Sequence, residues 1–134
     1  MPLAPTYTNA QLAATTLQIQ AGDISAATNT MLLNTTNGPT VVAGFEMPTL
    51  AVAASLVLEM SLDNGVTWLS NLLPPFGGVA WNTYPTSVQT TGTFQAIDPA
   101  SILGATAIRF VAGGTAPVTQ TATVPIIVMT RAIQ

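Results

Sequence analysis

The sequence predicts an all-β protein: a two-sheet antiparallel β-sandwich or jelly roll of about eight short strands with one short helical turn. Three observations carry this. Apolar residues recur at the two-residue period of a pleated strand, as where Leu56, Leu58, Met60 and Leu62 alternate with Val57, Glu59, Ser61 and Asp63. Threonine is the commonest residue, and with Val, Ile and the aromatics it suits a half-buried pleated surface better than a helix. Gly, Pro, Asn and Asp clusters interrupt the alternation about every 10 residues, with no helical segments between strands as a βαβ unit would require. No internal repeat of fixed period is present.

Taken in order, residues 1–10 carry two prolines and no period, and read as an extended arm; residues 11–134 form the single β-sandwich domain. The first strand is expected over Thr15–Gln20, where polar and apolar residues alternate, and Ala21-Gly22-Asp23 turns the chain. A second runs from Thr28 to Asn34, closed by Asn37-Gly38. Thr40–Met47 follows, with Val41, Ala43, Phe45 and Met47 on one face until Pro48 stops the ladder. The longest alternation, Leu50–Asp63, leads into Asn64-Gly65, the strongest two-residue hairpin signal, because both residues tolerate the positive φ of a tight turn. Val66 and Trp68 then restore the apolar face, and Trp68 is expected inward. Pro74-Pro75-Phe76-Gly77-Gly78 reads as a protruding loop. Val79–Trp81 is a short strand. Ser87–Ile97 is another, with Val88, Phe94 and Ala96 on one face and Gly92 as a bulge. Asp98-Pro99 to Gly104 has an N-cap acid, proline at the first helical position and glycine past the end, which predicts the helical turn. Ala107–Val111 is a strand with Ile108 and Phe110 inward. The last, Thr119–Ile133, is apolar on both faces near its end, as expected of a central strand or a subunit contact.

Composition narrows the function. Charged residues are 5% of the 134, hydrophobic ones 49%, and mean hydropathy is +0.51. Copies so poor in charge have little to keep them apart, and without lysine the sheet edges lack their usual protection, so oligomerisation is expected to cover them. Two arginines and a net charge of −3 exclude an electrostatic grip on nucleic acid. With neither cysteine nor histidine there is no thiolate, disulfide or imidazole chemistry. Met1–Tyr7 has no basic n-region, so no signal peptide is expected, and no apolar run approaches the roughly 18 residues of a membrane span. The five acids are scattered at expected strand ends, turns and caps, which argues against a paired-carboxylate enzyme. Asp63-Asn64 offers too few oxygens for a metal. No catalytic residue, cofactor or metal is therefore expected.

Ser61-x-Asp63-x-Gly65-x-Thr67-Trp68 resembles the Asp box found at the turns of sialidase propeller blades. A propeller needs one box per blade, and this chain has one box in all. The resemblance implies a structural hairpin made by Ser61, Asp63, Asn64, Gly65, Thr67 and Trp68, and not a sialidase. Trp68, Trp81, Tyr84 and Phe76 could form a sugar-stacking platform. The reading preferred puts Trp68 and Trp81 in the core and leaves Phe76 and Tyr84 on loops for contact.

Leu58–Trp68 together with Ala107–Gln120, which holds Ile108-Arg109 and Gly114-Thr115-Ala116-Pro117-Val118, is similar to small structural proteins of tailed bacteriophages. The resemblance implies a β-sandwich virion component. It would be a non-enzymatic capsid decoration or cement protein, a homotrimer on the capsid exterior, made in the host cytoplasm and contacting the major capsid protein. Its alternatives are a tail, collar or baseplate element and a carbohydrate-binding module, the latter making a glycan the one non-protein partner in view. Contacts would come from Pro2, Leu3, Pro5 and Tyr7 of the arm, from Pro74, Pro75, Phe76 and Tyr84, and from Arg109 and Arg131. Each arginine would pair with an acid or with backbone carbonyls at a subunit boundary. Neither nucleic acid nor membrane is an expected partner.

Overall fold

A computed structural model describes residues 13–35, 38–70, 83–85, 92–97, 102, 104–114 and 116–132. They build two antiparallel five-stranded sheets that pack together as a β-sandwich. The first sheet has the order β1 (Ala13–Ile19), β10 (Val124–Ala132), β4 (Gly38–Glu46), β3 (Asn34–Thr35), with β8 (Phe94–Ala96) also paired to β4. The second has the order β2 (Met31–Leu32), β9 (Ala107–Ala112), β5 (Ser55–Ser61), β6 (Leu69–Ser70), with β7 (Thr83–Pro85) also paired to β5. The predicted strand Thr28–Asn34 is divided between the two sheets. It turns at buried Leu33, whose N–H donates to the Thr106 carbonyl, so β2 joins one sheet and β3 the other.

The inward rows follow from the period-two alternation. Leu17 stands opposite Ile126 and Ile19 opposite Val124 on β1 and β10, while Leu58 faces Phe110 and Met60 faces Ile108 on β5 and β9. Phe45 and Phe110 meet between the sheets with ring centroids 4.7 Å apart and planes inclined by 57°, a tilted geometry that aromatic quadrupoles favour. Each such side chain contributes roughly 1.5–3 kcal/mol by leaving water.

Thr40–Met47 departs from the predicted phase. Met129 pairs with Gly44 but Thr130 with Val42, so Ala43 is an extra residue, a β-bulge whose carbonyl accepts the Ile97 N–H instead. Beyond the bulge the phase inverts: Val42, rather than Ala43, joins Phe45 and Met47 in the core. The two sheets are also joined within the chain. Thr28 bridges to Ile19 of β1 and Ala27 bridges to Val111 of β9, covering part of an edge expected to need another subunit.

Of the predicted strand Ser87–Ile97, Phe94–Ala96 form β8, and Ser87–Thr91, Val88 among them, lie outside the described residues. Phe94 and Ala96 do share a face, the outer one, while Gly92 sits in a turn at φ 83 with its N–H on the Met47 carbonyl. In the predicted helical turn, Ile102 is buried and accepts the Ala105 N–H, and Gly104 has φ 88; Asp98–Ser101 and Leu103 lie outside the described residues. The arm over residues 1–10, the Pro74-Pro75-Phe76 loop and Val79–Trp81 also lie outside them. Among the described residues no helix is long and apolar enough to cross a membrane.

Candidate functional site

The Ser61–Trp68 loop has the predicted turn at its tip and an unexpected frame around it. Asn64 and Gly65 take φ 60 and 95, and the Val66 N–H reaches the Asp63 carbonyl at 3.4 Å, as a tight turn with two left-handed residues requires. The strands do not close directly on that turn. The last β5–β6 pair is Met60 opposite Leu69, so Ser61–Trp68 is the whole connection. Side chains have taken over the amides that a two-residue hairpin would give to its ladder. Ser61 Oγ accepts the N–H groups of Gly65 (2.8 Å) and Asp63 (3.2 Å) and donates to Asp63 Oδ1 (2.7 Å), which also accepts the Thr67 N–H (2.8 Å). The Ser61 hydroxyl, then the Thr67 amide and hydroxyl, hold the Asp63 carboxyl below the usual range.

Thr106 ties the loop down. Its N–H and Oγ1 both donate to the Ser61 carbonyl (2.8 and 3.2 Å), and Oγ1 accepts the Asn64 N–H (2.9 Å). Nothing in the local pattern around Thr106 announces this role, because its partners are more than 40 residues away.

The longer loop overturns the expectation for Trp68. Val66 is 83% exposed, and Trp68 is half-buried on the outer face of the second sheet, outside the core. There Arg109 lies over its ring, with the guanidinium carbon 4.5 Å from the centroid. Arg109 Nε also donates to Glu59 Oε1 at 2.8 Å, and the two residues stand directly opposite each other on β9 and β5. Arg109 thus finds the acid expected for it inside its own chain rather than across a subunit boundary. Glu59 is correspondingly a mid-strand residue, 8% exposed, and not at a strand end. Cross-strand pairing of opposite charges beside a ring gives this outer face a fixed polar cluster.

The second motif is equally structural. Gly113 (φ 89) and Gly114 (φ 60) turn the chain; a Cβ on Gly113 would collide with the Ala116 carbonyl oxygen, and one on Gly114 would stand 2.9 Å from Val57 Cγ2. Gln120, 0% exposed, then clamps the loop before β5. Its Oε1 accepts the Val52 N–H (2.9 Å), and its Nε2 donates to the carbonyls of Val52 (3.1 Å) and Val118 (3.0 Å). Gln120 was not among the candidate residues; a buried amide whose partners are backbone groups leaves no spacing signal.

The remaining contact candidates are dispersed. Tyr84 belongs to strand β7, opposite Leu56, and not to a loop; Arg131 belongs to β10, opposite Val41. Pro2, Leu3, Pro5, Tyr7, Pro74, Pro75, Phe76 and Trp81 lie outside the described residues. Among the described residues no three acids, histidines or cysteines gather as a metal would need.

A different surface has the features of a contact site. On the outer face of the first sheet, Ile127 and Met129 are half-buried, and Ala14, Ala96 and Phe94 (56%) are exposed. Phe94 lies over Gly44, the position on β4 where a Cβ would strike its ring. Glu46, opposite Phe94, is the one acid on this face among the described residues. No family model, curated protein or solved structure matches this chain.

Proposed function

We infer that this protein is a non-enzymatic structural component of a tailed-bacteriophage virion, a decoration or cement protein that stabilises the capsid shell through subunit contacts. The observation that carries the reading is the apolar outer face of the first sheet. Ile127, Met129, Phe94, Ala14 and Ala96 stay in contact with water in the single chain, in a sequence with almost no charge to oppose association. The two phage-like motifs support it in a complementary way: both are spent on fixing loops, which suits a rigid module whose work is done by faces. Weak contacts of this kind, repeated by the symmetry of a homotrimer and of a shell of major capsid protein, add up through multivalency without chemistry.

Copy number in purified virions, measured by quantitative mass spectrometry, tests the reading. Hundreds of copies per particle, and shells that burst at lower temperature without the protein and regain resistance when it is added back, are the expected outcome. A dozen copies or fewer would assign it to the tail, and its absence from particles would overturn the virion reading altogether.

A further inference from the structure

We propose that a polar groove at the corner between the two sheets binds a neutral oligosaccharide. The groove, of about 460 Å³, is lined by Thr16, Gln18 and Gln20 of β1 and its end, by Asp23, and by Asn29 above a floor of Ala27 and Thr28. That size suits a small organic ligand rather than an ion. Residues 27 and 28 bridge both sheets there, and the turn before them brings Asp23 into the lining. The turn is held firmly: Ala26, fully buried, takes φ 50, unusual for a residue with a side chain, and its N–H donates to the Asp23 carbonyl at 3.1 Å.

The bonds already made determine which groups remain for a ligand. The Gln18 N–H donates to Asn29 Oδ1 at 2.9 Å, which orients the Asn29 amide and leaves its Nδ2 hydrogens without a partner among the described residues. Asp23 Oδ1 accepts both the N–H (2.9 Å) and the hydroxyl (2.7 Å) of Ser25, which leaves Oδ2 open and keeps the carboxyl ionised below its usual pKa. Gln20 Nε2 donates to Gln18 Oε1 at 3.3 Å, so Gln18 retains its amino group and Gln20 its carbonyl. Thr28 Oγ1 is fully engaged, accepting the Phe110 N–H and donating to the Asn29 carbonyl. The groove thus presents oriented donors from Asn29 and Gln18 beside oriented acceptors from Asp23 and Gln20.

Alternating donors and acceptors with one fixed carboxylate match a chain of hydroxyl groups, each of which both donates and accepts. The other ligand classes fit poorly. Phosphates and nucleic acids would meet Asp23 with no lysine or arginine in the lining, and an apolar ligand or a peptide anchor would find only Ala27.

The test uses the full chain on an array of uncharged and acidic oligosaccharides, with each hit measured by calorimetry. Two isosteric variants separate binding from folding. Asn29→Asp keeps the acceptor for the Gln18 N–H but removes the outward donor, and Asp23→Asn keeps the acceptor for Ser25 but replaces the outward carboxylate oxygen. The expected result is a neutral glycan bound at least tenfold more weakly by each variant while both remain folded, with Asp23→Asn melting somewhat lower at neutral pH because it gives up the charge that the Ser25 bonds favour. Binding of acidic glycans alone, of no glycan, or of a neutral glycan held equally well by both variants would overturn the proposal. The groove adjoins the apolar row, with Thr16 standing opposite Ile127, but neither variant alters Ile127, Met129 or Phe94, so loss of glycan binding in the isolated protein leaves the assembly role to its own test.

Discussion

The outer faces of the two sheets have been treated in opposite ways. The outward row of the second sheet, Val57, Glu59, Ser61, Arg109 and Val111, includes an ion pair, yet its members are buried or half-buried within one chain. Gly114 closes on Val57, Trp68 on Arg109, and the turn amides on Ser61. The outward row of the first sheet is apolar at Ile127, Met129 and Phe94 and is left open. Hydrophobic burial within a monomer would favour the reverse assignment. Loops carrying their own hydrogen bonds cover the polar face because those bonds can be satisfied there, and the apolar face stays open in the single chain.

Loosening the clamps that cover the second sheet should have the largest effect. Gln120→Ala removes three hydrogen bonds, to the N–H and carbonyl of half-buried Val52 and to the Val118 carbonyl, which should cost roughly 3 kcal/mol. Denaturant unfolding would register this as a lower midpoint. A loss under about 1 kcal/mol would mean that water or a moved loop replaces the clamp.

The ion pair comes next. Arg109→Met keeps a long side chain against Trp68 but leaves Glu59 with no cation in a largely buried position, and should destabilise by roughly 2 kcal/mol. Adding Glu59→Leu should restore much of that loss, since a buried carboxylate without its partner is the larger part of the penalty. A double variant no more stable than Arg109→Met would show that the cation–ring contact outweighs the ion pair.

These effects bear on what could be read from the sequence. The Asp63-Asn64-Gly65 turn was legible because its cause is local, the φ tolerance of two adjacent residues. The inward pair of β9, Ile108 and Phe110, was legible because alternation is a one-strand property, whereas β10, apolar on both faces, gave no sign of which row would turn inward. The bulge at Ala43 was not, since an inserted residue does not announce itself in a short apolar run, and it displaced Val42 into the core. Trp68 was misplaced for a related reason: two side-chain acceptors lengthened the connection, and no count of apolar residues registers that. Gln120 and Thr106 bond to backbone 68 and 45 residues distant, so only the fold reveals them.

The acidic end of the Ser61–Trp68 loop supplies a smaller, pH-dependent effect. Hydrogen bonds lower the Asp63 pKa in the folded protein, so their stabilisation is present above the unfolded value of about 3.9 and is lost as pH falls through the folded value. Asp63→Asn keeps an acceptor for Ser61 and Thr67 and removes the charge. It should be less stable than the parent at neutral pH, and the gap should close below about pH 4. A gap constant with pH would mean that the carboxylate charge contributes nothing and that geometry alone holds the turn.

The smallest effect on folding should fall on the open face, where the largest effect on assembly is expected. Ile127→Thr with Met129→Thr places a β-branched, strand-compatible residue at both positions of β10, and because both are half-exposed the folding free energy should move by only about 0.5 kcal/mol or less per site. Sedimentation velocity on the isolated protein and add-back to depleted shells would then separate the two sheets by function. If self-association or shell binding falls at least tenfold at nearly unchanged melting temperature, the apolar row is an interface. If both survive, the contacts lie elsewhere, and the exposure of Ile127, Met129 and Phe94 is a burden that the uncharged surface tolerates.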